Sequence, residues 1–298
     1  MKPKQITVSL AKDFAWMTAA YIFAIVLMVF TGKYCFQSGW SLVWTLAAAD
    51  TAGTLAIFFF SYWRNNSSFY DAYWSVWPPV AALFTGWLGL EAGADPIRIW
   101  VMLFCVWLWG IRLTANWARG WHGLTHEDWR YVDMRRTTKG MYWLTSLTGL
   151  HFFPTFLVFL GCLPMYAAMS LPGKTFNGLD ILAAVICIGA TVIEFIADEQ
   201  LRRHRALYPG VSITSGLWGY SRHPNYFGEL SFWWGLYLFA LAAGQNSPWM
   251  IAGAISMTLL FVFISIPMME KRMLEKKTDY KEVQKSISML IPFFKMKN

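Results

Sequence analysis

Charge is scarce in this chain. Asp, Glu, Lys and Arg make up 14% of its 298 residues, against 56% hydrophobic, and no polar stretch is long enough to fold alone as a water-soluble domain. Histidine is equally sparse at five, too few for a membrane site built on many imidazoles. The close pair His122 and His126 is separated by Gly123, which weakens a rigid helix, so no metal is expected. Cys35, Cys105, Cys162 and Cys187 show no paired spacing for a disulfide, zinc or a cluster and read as free thiols. There is no GxGxxG after a strand, no P-loop, and no repeat or low-complexity tract. A nucleotide, if bound, has to be held by helices.

What is present is a series of apolar blocks near residues 14–31, 41–62, 72–90, 99–118, 140–168, 176–197, 226–244 and 249–269, each able to cross a hydrocarbon core of roughly 30 Å. The fold class is therefore all-α: a polytopic membrane helical bundle of about eight spans, forming one integral membrane domain over 1–298. With the N-terminus inside, 21 of the 25 basic residues fall on one side, as the positive-inside rule requires. Both termini are then cytoplasmic, as are segments 119–139, 198–225 and 270–298. The net charge of +8 reflects topology and attraction to anionic membrane lipid, and gives no support to nucleic-acid binding. Phe14–Thr31 lacks a small-residue cleavage site and reads as a true span. A bacterial inner membrane or the endoplasmic reticulum both suit such a chain; oligomeric state is not legible.

Polar side chains gather in a few places. Glu194, Asp198, Arg202 and Arg205 recur at steps of four, four and three, which puts an acidic-then-basic stripe on one face of a helix leaving the membrane. Such a stripe suits a phosphate-bearing ligand, although Asp198 and Arg202 also make an ordinary helix-end pair. The stretch Gly216–Glu229, GLWGYSRHPNYFGE, places Trp218, Tyr220, Ser221, Arg222, His223, Asn225, Tyr226 and Glu229 between apolar runs. Pro224 forces a turn before a new helix, on which Asn225 and Glu229 lie one turn apart and can face a carboxamide; helix capping by Asn225 and a buried Glu229 paired with Arg222 or Arg112 is the structural alternative. Arg112 and Asn116 share a face of the fourth span, and Arg112 lies deep enough to need an anionic partner. Asp50 stands isolated in the second span. Tyr70 and Tyr73 flank Asp71 at a helix entry, where a phenol can donate to a bound carbonyl.

GLW-x-x-SRHPNYFGE, preceded by EFIADEQLRRHR and followed by IPMMEKRMLEKK, Tyr280 and LIPFF, resembles the membrane family called DUF1295 or steroid 5-alpha-reductase-like. NSSFYDAYWSVWP at 65–78, WGIRLTANWARGW at 109–121 and EDWRY at 127–131 resemble it too. The resemblance implies hydride transfer from NADPH to a carbon–carbon double bond of an apolar small molecule entering from lipid. It implies dinucleotide contacts at Asp198, Arg202, Arg205, Asn225 and Glu229, with the GLW turn at 216–218 leading into Tyr220 and Ser221, and Arg272 and Tyr280 in a tail that closes over the cofactor. Those families use a membrane Glu and Tyr at the substrate carbonyl, and their upstream motif is not clearly matched; Tyr73, Tyr70 and Asp71 are the candidates for donor. Isoprenylcysteine and phospholipid methyltransferases share an RHPxYxG turn, satisfied by Arg222, His223, Pro224, Tyr226 and Gly228, so S-adenosylmethionine is the alternative cofactor, its zwitterionic end served by Arg222 and Glu229.

Overall fold

The computed structural model describes residues 3–293, with side chains from Leu10 onward. Lys2 and residues 294–298, and with them the expected placement of both chain ends, lie outside the described residues. Described residues form helices and turns without strands: α1 (Pro3–Gln37), α2 (Leu42–Trp63), α3 (Tyr73–Ala92), α4 (Pro96–Gly120), α5 (Trp129–Thr138), α6 (Tyr142–Thr145), α7 (Phe153–Ser170), α8 (Gly178–Leu207), α9 (Pro224–Ala242), α10 (Ala252–Leu260), α11 (Ile266–Lys276) and α12 (Tyr280–Ser286). Two π-helical segments, Ser146–Phe152 and Phe261–Ser265, join α6 to α7 and α10 to α11.

Six helical stretches are long and apolar enough to cross a membrane: Leu10–Gln37, Leu42–Trp63, Pro96–Gly120, Trp129–Ser170, Gly178–Leu207 and Pro248–Lys276. The other two expected spans, 72–90 and 226–244, coincide with α3 and α9, which are helical but rich in Trp, Tyr and, in α3, Pro78 and Pro79, and so fall short on hydropathy. Large apolar side chains such as Phe30, Val185 and Phe263 point outward, the arrangement lipid rewards, because helices in a bilayer gain nothing by hiding them. All four cysteines are free and buried.

Helix packing divides the chain into two compact units, residues 1–84 with 113–159 and residues 85–112 with 160–298. In the first, α1 and α2 pair along their length, and the link 64–72 is pinned by polar contacts. Asn65 adopts φ 51°, a conformation asparagine tolerates. Asn66 donates to the carbonyls of Leu124 (2.8 Å) and His126 (3.1 Å), Ser67 N–H donates to Glu127 (2.8 Å), and Leu124 N–H donates to Asp13 (2.9 Å).

In the second unit, Gly228 and Gly235 form a seam on α9 that admits the backbone of α8. A Cβ at Gly228 would stand 2.8 Å from the Ala190 carbonyl oxygen, and one at Gly235 would stand 2.5 Å from Cys187 Sγ. Small residues let membrane helices approach in this way. At the start of α8, Asn177 and Asp180 form a capping box, and Asp180 also takes Arg98 in a two-pronged pair, Nε at 2.7 Å and Nη2 at 2.8 Å. Arg98, at the head of α4, is 1% exposed; its remaining N–H groups donate to the carbonyls of Lys174 and Thr175.

Candidate functional site

The second unit concentrates charge where α4, α8 and α9 meet. Arg112 on α4 bridges two carboxylates of α8, Glu194 through Nη1 and Asp198 through Nη2. This supplies the anionic partners that its depth demands. Asn225, in the first turn of α9, donates from Nδ2 to the other oxygen of Asp198 at 3.2 Å, while its own oxygen accepts Tyr226 N–H. One turn on, Glu229 accepts the indole N–H groups of Trp109 (3.1 Å) and Trp233 (2.8 Å). The Glu194 and Glu229 carboxyl groups meet. Glu194 Oε1 and Arg112 Nε are buried polar atoms that no N–H or O–H donor and no acceptor, respectively, satisfies among the described residues. Each is an atom that a polar group of a ligand, such as a carboxamide, could satisfy.

The expected stripe on α8 is thus divided. Its acids face Arg112. Arg202 pairs with Glu199 instead of Asp198, because the next residue along offers a shorter reach at a step of three. Arg202 and Arg205 both still contribute to the field at Asp198. Behind them, Trp218 donates to the Ala197 carbonyl at 2.9 Å, and Gly216 at φ 60° lets Leu217 N–H reach Gln200 (3.0 Å).

Arg222 and His223 take a different role from the one the sequence suggests. Arg222 donates to Glu270 (2.7 Å) and to the carbonyls of Gln284 and Ile287 (both 2.8 Å). His223 Nε2 lies 3.1 Å from the same Glu270, and Gln284 donates to Glu270 as well. Arg222 N–H donates to the Ser288 carbonyl, Phe293 N–H to that of Tyr220, and Ser221 Oγ to that of Leu290. The SRH turn therefore straps the tail from Tyr280 to Phe293 down. Tyr280 packs with Val283, Ile287 and Met273, burial pushes its phenol above its usual range, and Arg272 is half-buried on α11. Tyr226 stacks on His223 with rings 5.3 Å apart, whereas Tyr220 is exposed. Asn116 follows Arg112 by one turn of α4, in the segment assigned to the first unit.

The first unit holds a second polar cluster, wholly buried. Tyr73 donates to Asp50 Oδ1 at 3.3 Å, and Asp50 Oδ2 has no partner among the described residues. Tyr70 bonds Thr155 (2.7 Å), and Thr155 bonds Thr54 (3.0 Å). Asp71 does not join the two tyrosines that flank it. It accepts Tyr131 O–H at 2.5 Å, and burial pushes its carboxyl up to about 7. His122 and His126 sit on an exposed loop with rings 5.7 Å apart.

Several participants carried signals that the sequence reading did not use. Trp109 precedes Arg112 by three residues on the same face of α4, and Thr54 and Ser61 continue the face of α2 that carries Asp50. Glu270 and Gln284 lie within the tail block, and their partner could not be read from spacing. His151 and Thr155 offered no motif.

The comparisons agree with one another. An uncharacterized protein of Schizosaccharomyces pombe is 30% identical over 257 residues, covering 78% of this chain and 74% of the relative. No solved structure matches. The model of a family described as a protein of unknown function, DUF1295, matches residues 57–287, which include both polar clusters except Asp50 and Thr54, and the chain belongs to that family.

Proposed function

We propose that this chain is a membrane-embedded reductase that uses NADPH to reduce an activated, enone-type carbon–carbon double bond in an apolar, lipid-borne molecule. The observation that carries the reading is the buried Arg112–Glu194–Asp198–Asn225 cluster with its two orphaned atoms, next to the cationic turn of Arg202 and Arg205. When bound, NADPH supplies hydride. On this reading the carboxamide expected at Asn225 and Glu229 would be met by Asn225 with Glu194 Oε1, since Glu229 is held by two indoles, Arg112 keeps the two carboxylates of α8 oriented, and Arg202 and Arg205 would offer guanidinium groups to phosphates from the cytoplasmic side.

Reduction of an enone leaves negative charge on oxygen, so a neutral donor must stand there. Tyr73, bonded to Asp50, and Tyr70, bonded to Thr155, are the buried phenols that the first unit offers for this role. The S-adenosylmethionine alternative would draw on Arg222 and Glu229. Arg222 is already engaged by Glu270 and tail carbonyls, which counts against that alternative.

Thermal unfolding of the detergent-purified protein with NADPH, NADH or S-adenosylmethionine tests the reading. A ligand at 100 times its Kd stabilises by about 2.7 kcal/mol. We expect a shift with NADPH that Asn225→Ala abolishes. A shift with S-adenosylmethionine alone would replace the reductase by a methyltransferase.

A further inference from the structure

Beneath the Tyr70 cluster, the first unit contains a chain of hydrogen bonds that the reading above does not use. Ser61 Oγ lies 3.0 Å from His151 Nε2. His151 Nδ1 lies 2.9 Å from the Ser146 carbonyl oxygen and 3.5 Å from Ser146 Oγ. Ser146 Oγ lies 3.0 Å from Ser67 Oγ, which lies 2.7 Å from Tyr142 Oη, and Tyr142 donates to Glu127 Oε1 at 3.3 Å. Glu127 is a partly exposed carboxylate paired with Arg135. Ser61, His151, Ser146 and Ser67 are each fully buried. The chain therefore runs from an aqueous surface to an imidazole inside the bundle.

We propose that Glu127, Tyr142, Ser67, Ser146, His151 and Ser61 form a proton relay that carries exchange between that surface and the imidazole buried beside Tyr70. Three observations converge on it. Each interior link is a hydroxyl or an imidazole, groups that donate and accept at once. A histidine buried in a membrane span is costly unless it has a task. It also sits in the π-helical segment Ser146–Phe152, the kind of helix irregularity that gathers at functional sites. Because a carbonyl can only accept, Nδ1 carries the proton in the neutral ring, and Nε2 accepts from Ser61.

Along the chain each hydroxyl gives up one proton as it takes another, Glu127 exchanges with water, and the Nδ1 proton of His151 is traded for one arriving through Ser146. The imidazole packs against Tyr70, with ring centres 5.1 Å apart, and against Phe58 at 5.2 Å. The relay deepens the reductase reading by naming the route that replaces the proton consumed in each turnover. Its test needs neither cofactor nor substrate, so the two fail separately.

The experiment measures exchange of the His151 ring N–H with water by nitrogen-15 NMR on histidine-labelled protein in detergent, assigned by loss of the signal in His151→Gln. Relative to a free imidazole, the ring proton should be at least about tenfold less protected than the backbone amides of α2 around Ile57 are relative to free amides, whereas a closed structural network would protect both alike. Tyr142→Phe, which keeps the ring that Arg135 covers, and Ser67→Ala should each slow it by about tenfold; Thr148→Val, off the path in the same π segment, should not. A His151 N–H as protected as its neighbouring amides, or one indifferent to both path variants, overturns the relay. If Tyr142→Phe does not fold, Ser67→Ala decides alone.

Discussion

Replacing Arg112 by Met should expose the energetic logic of the α4–α8–α9 cluster. The guanidinium is 8% exposed, and it bridges Glu194 at 2% and Asp198 at 16%. Methionine keeps the length and apolar bulk of the stem but takes from Glu194 the cation bonded to it and from Asp198 one of the cations around it, and removal of one partner from a buried pair costs about 3–5 kcal/mol. Partial access of Asp198 to water places the expected loss toward the lower end, about 3 kcal/mol. For a cooperative unit of this size that is a fall in Tm of roughly 6–12 °C, at about 2–4 °C per kcal/mol, measurable by tryptophan fluorescence in detergent. Neutralising the stranded acids as well, in Arg112→Met with Glu194→Gln and Asp198→Asn, should recover most of the loss, since an uncharged trio has no desolvation debt. If the single variant unfolds at the wild-type temperature, or if the triple variant is less stable than the single one, the bridge is not what joins these helices.

Three further outcomes follow from particular contacts. Gly235→Val should destabilise by about 1–3 kcal/mol or more through the clash with Cys187 Sγ, and pairing it with Cys187→Ala should return part of that loss in the same melting assay. Arg222→Ala should free the tail, so that limited proteolysis cuts between Tyr280 and Phe293 while the core stays resistant; equal resistance would mean that the Glu270 and carbonyl contacts do not hold the strap. Asp71 has its folded pKa raised to about 7 by burial, above its value of about 3.9 in an unfolded chain. The folded state thus binds the proton more tightly, so stability falls as pH rises from about 4 through 7. Asp71→Asn should flatten that part of the Tm profile, and an unchanged slope would refute the assignment.

The helical blocks were legible because lipid imposes a length and a composition on each of them, and the eight expected blocks coincide with helical stretches. Two of the eight, α3 and α9, fall short on hydropathy because aromatics and, in α3, prolines replace aliphatic residues. Spacing placed Glu194 with Asp198 and Asn225 with Glu229, since a helix fixes which residues share a face. It could not say which distant groups would meet them. Arg112 reaches across 82 and 86 residues, and Arg222 finds Glu270 across 48, so spacing could not show that this cation also fastens the tail. Asp71 lies between two tyrosines in sequence yet bonds a third, Tyr131, because the turn at 67–70 directs its neighbours inward. His151 announces itself by no motif. Only the π segment, invisible to a search for a 3.6-residue period, brings it under Ser61.

The pair between Arg98 and Asp180 has a consequence for how the chain is made. Its members are 82 residues apart, so at about 5–20 residues per second of synthesis Arg98 waits several seconds at the edge of the bilayer before its partner emerges. Until then the head of α4 must keep its charge in the polar surface layer, and α4 is free to slide in depth. Arrival of α8 fixes that depth and, two turns before its far end, delivers Glu194 and Asp198 to Arg112. Nascent chains stopped before Asp180 should therefore leave α4 accessible to water-borne reagents at positions that the finished protein conceals.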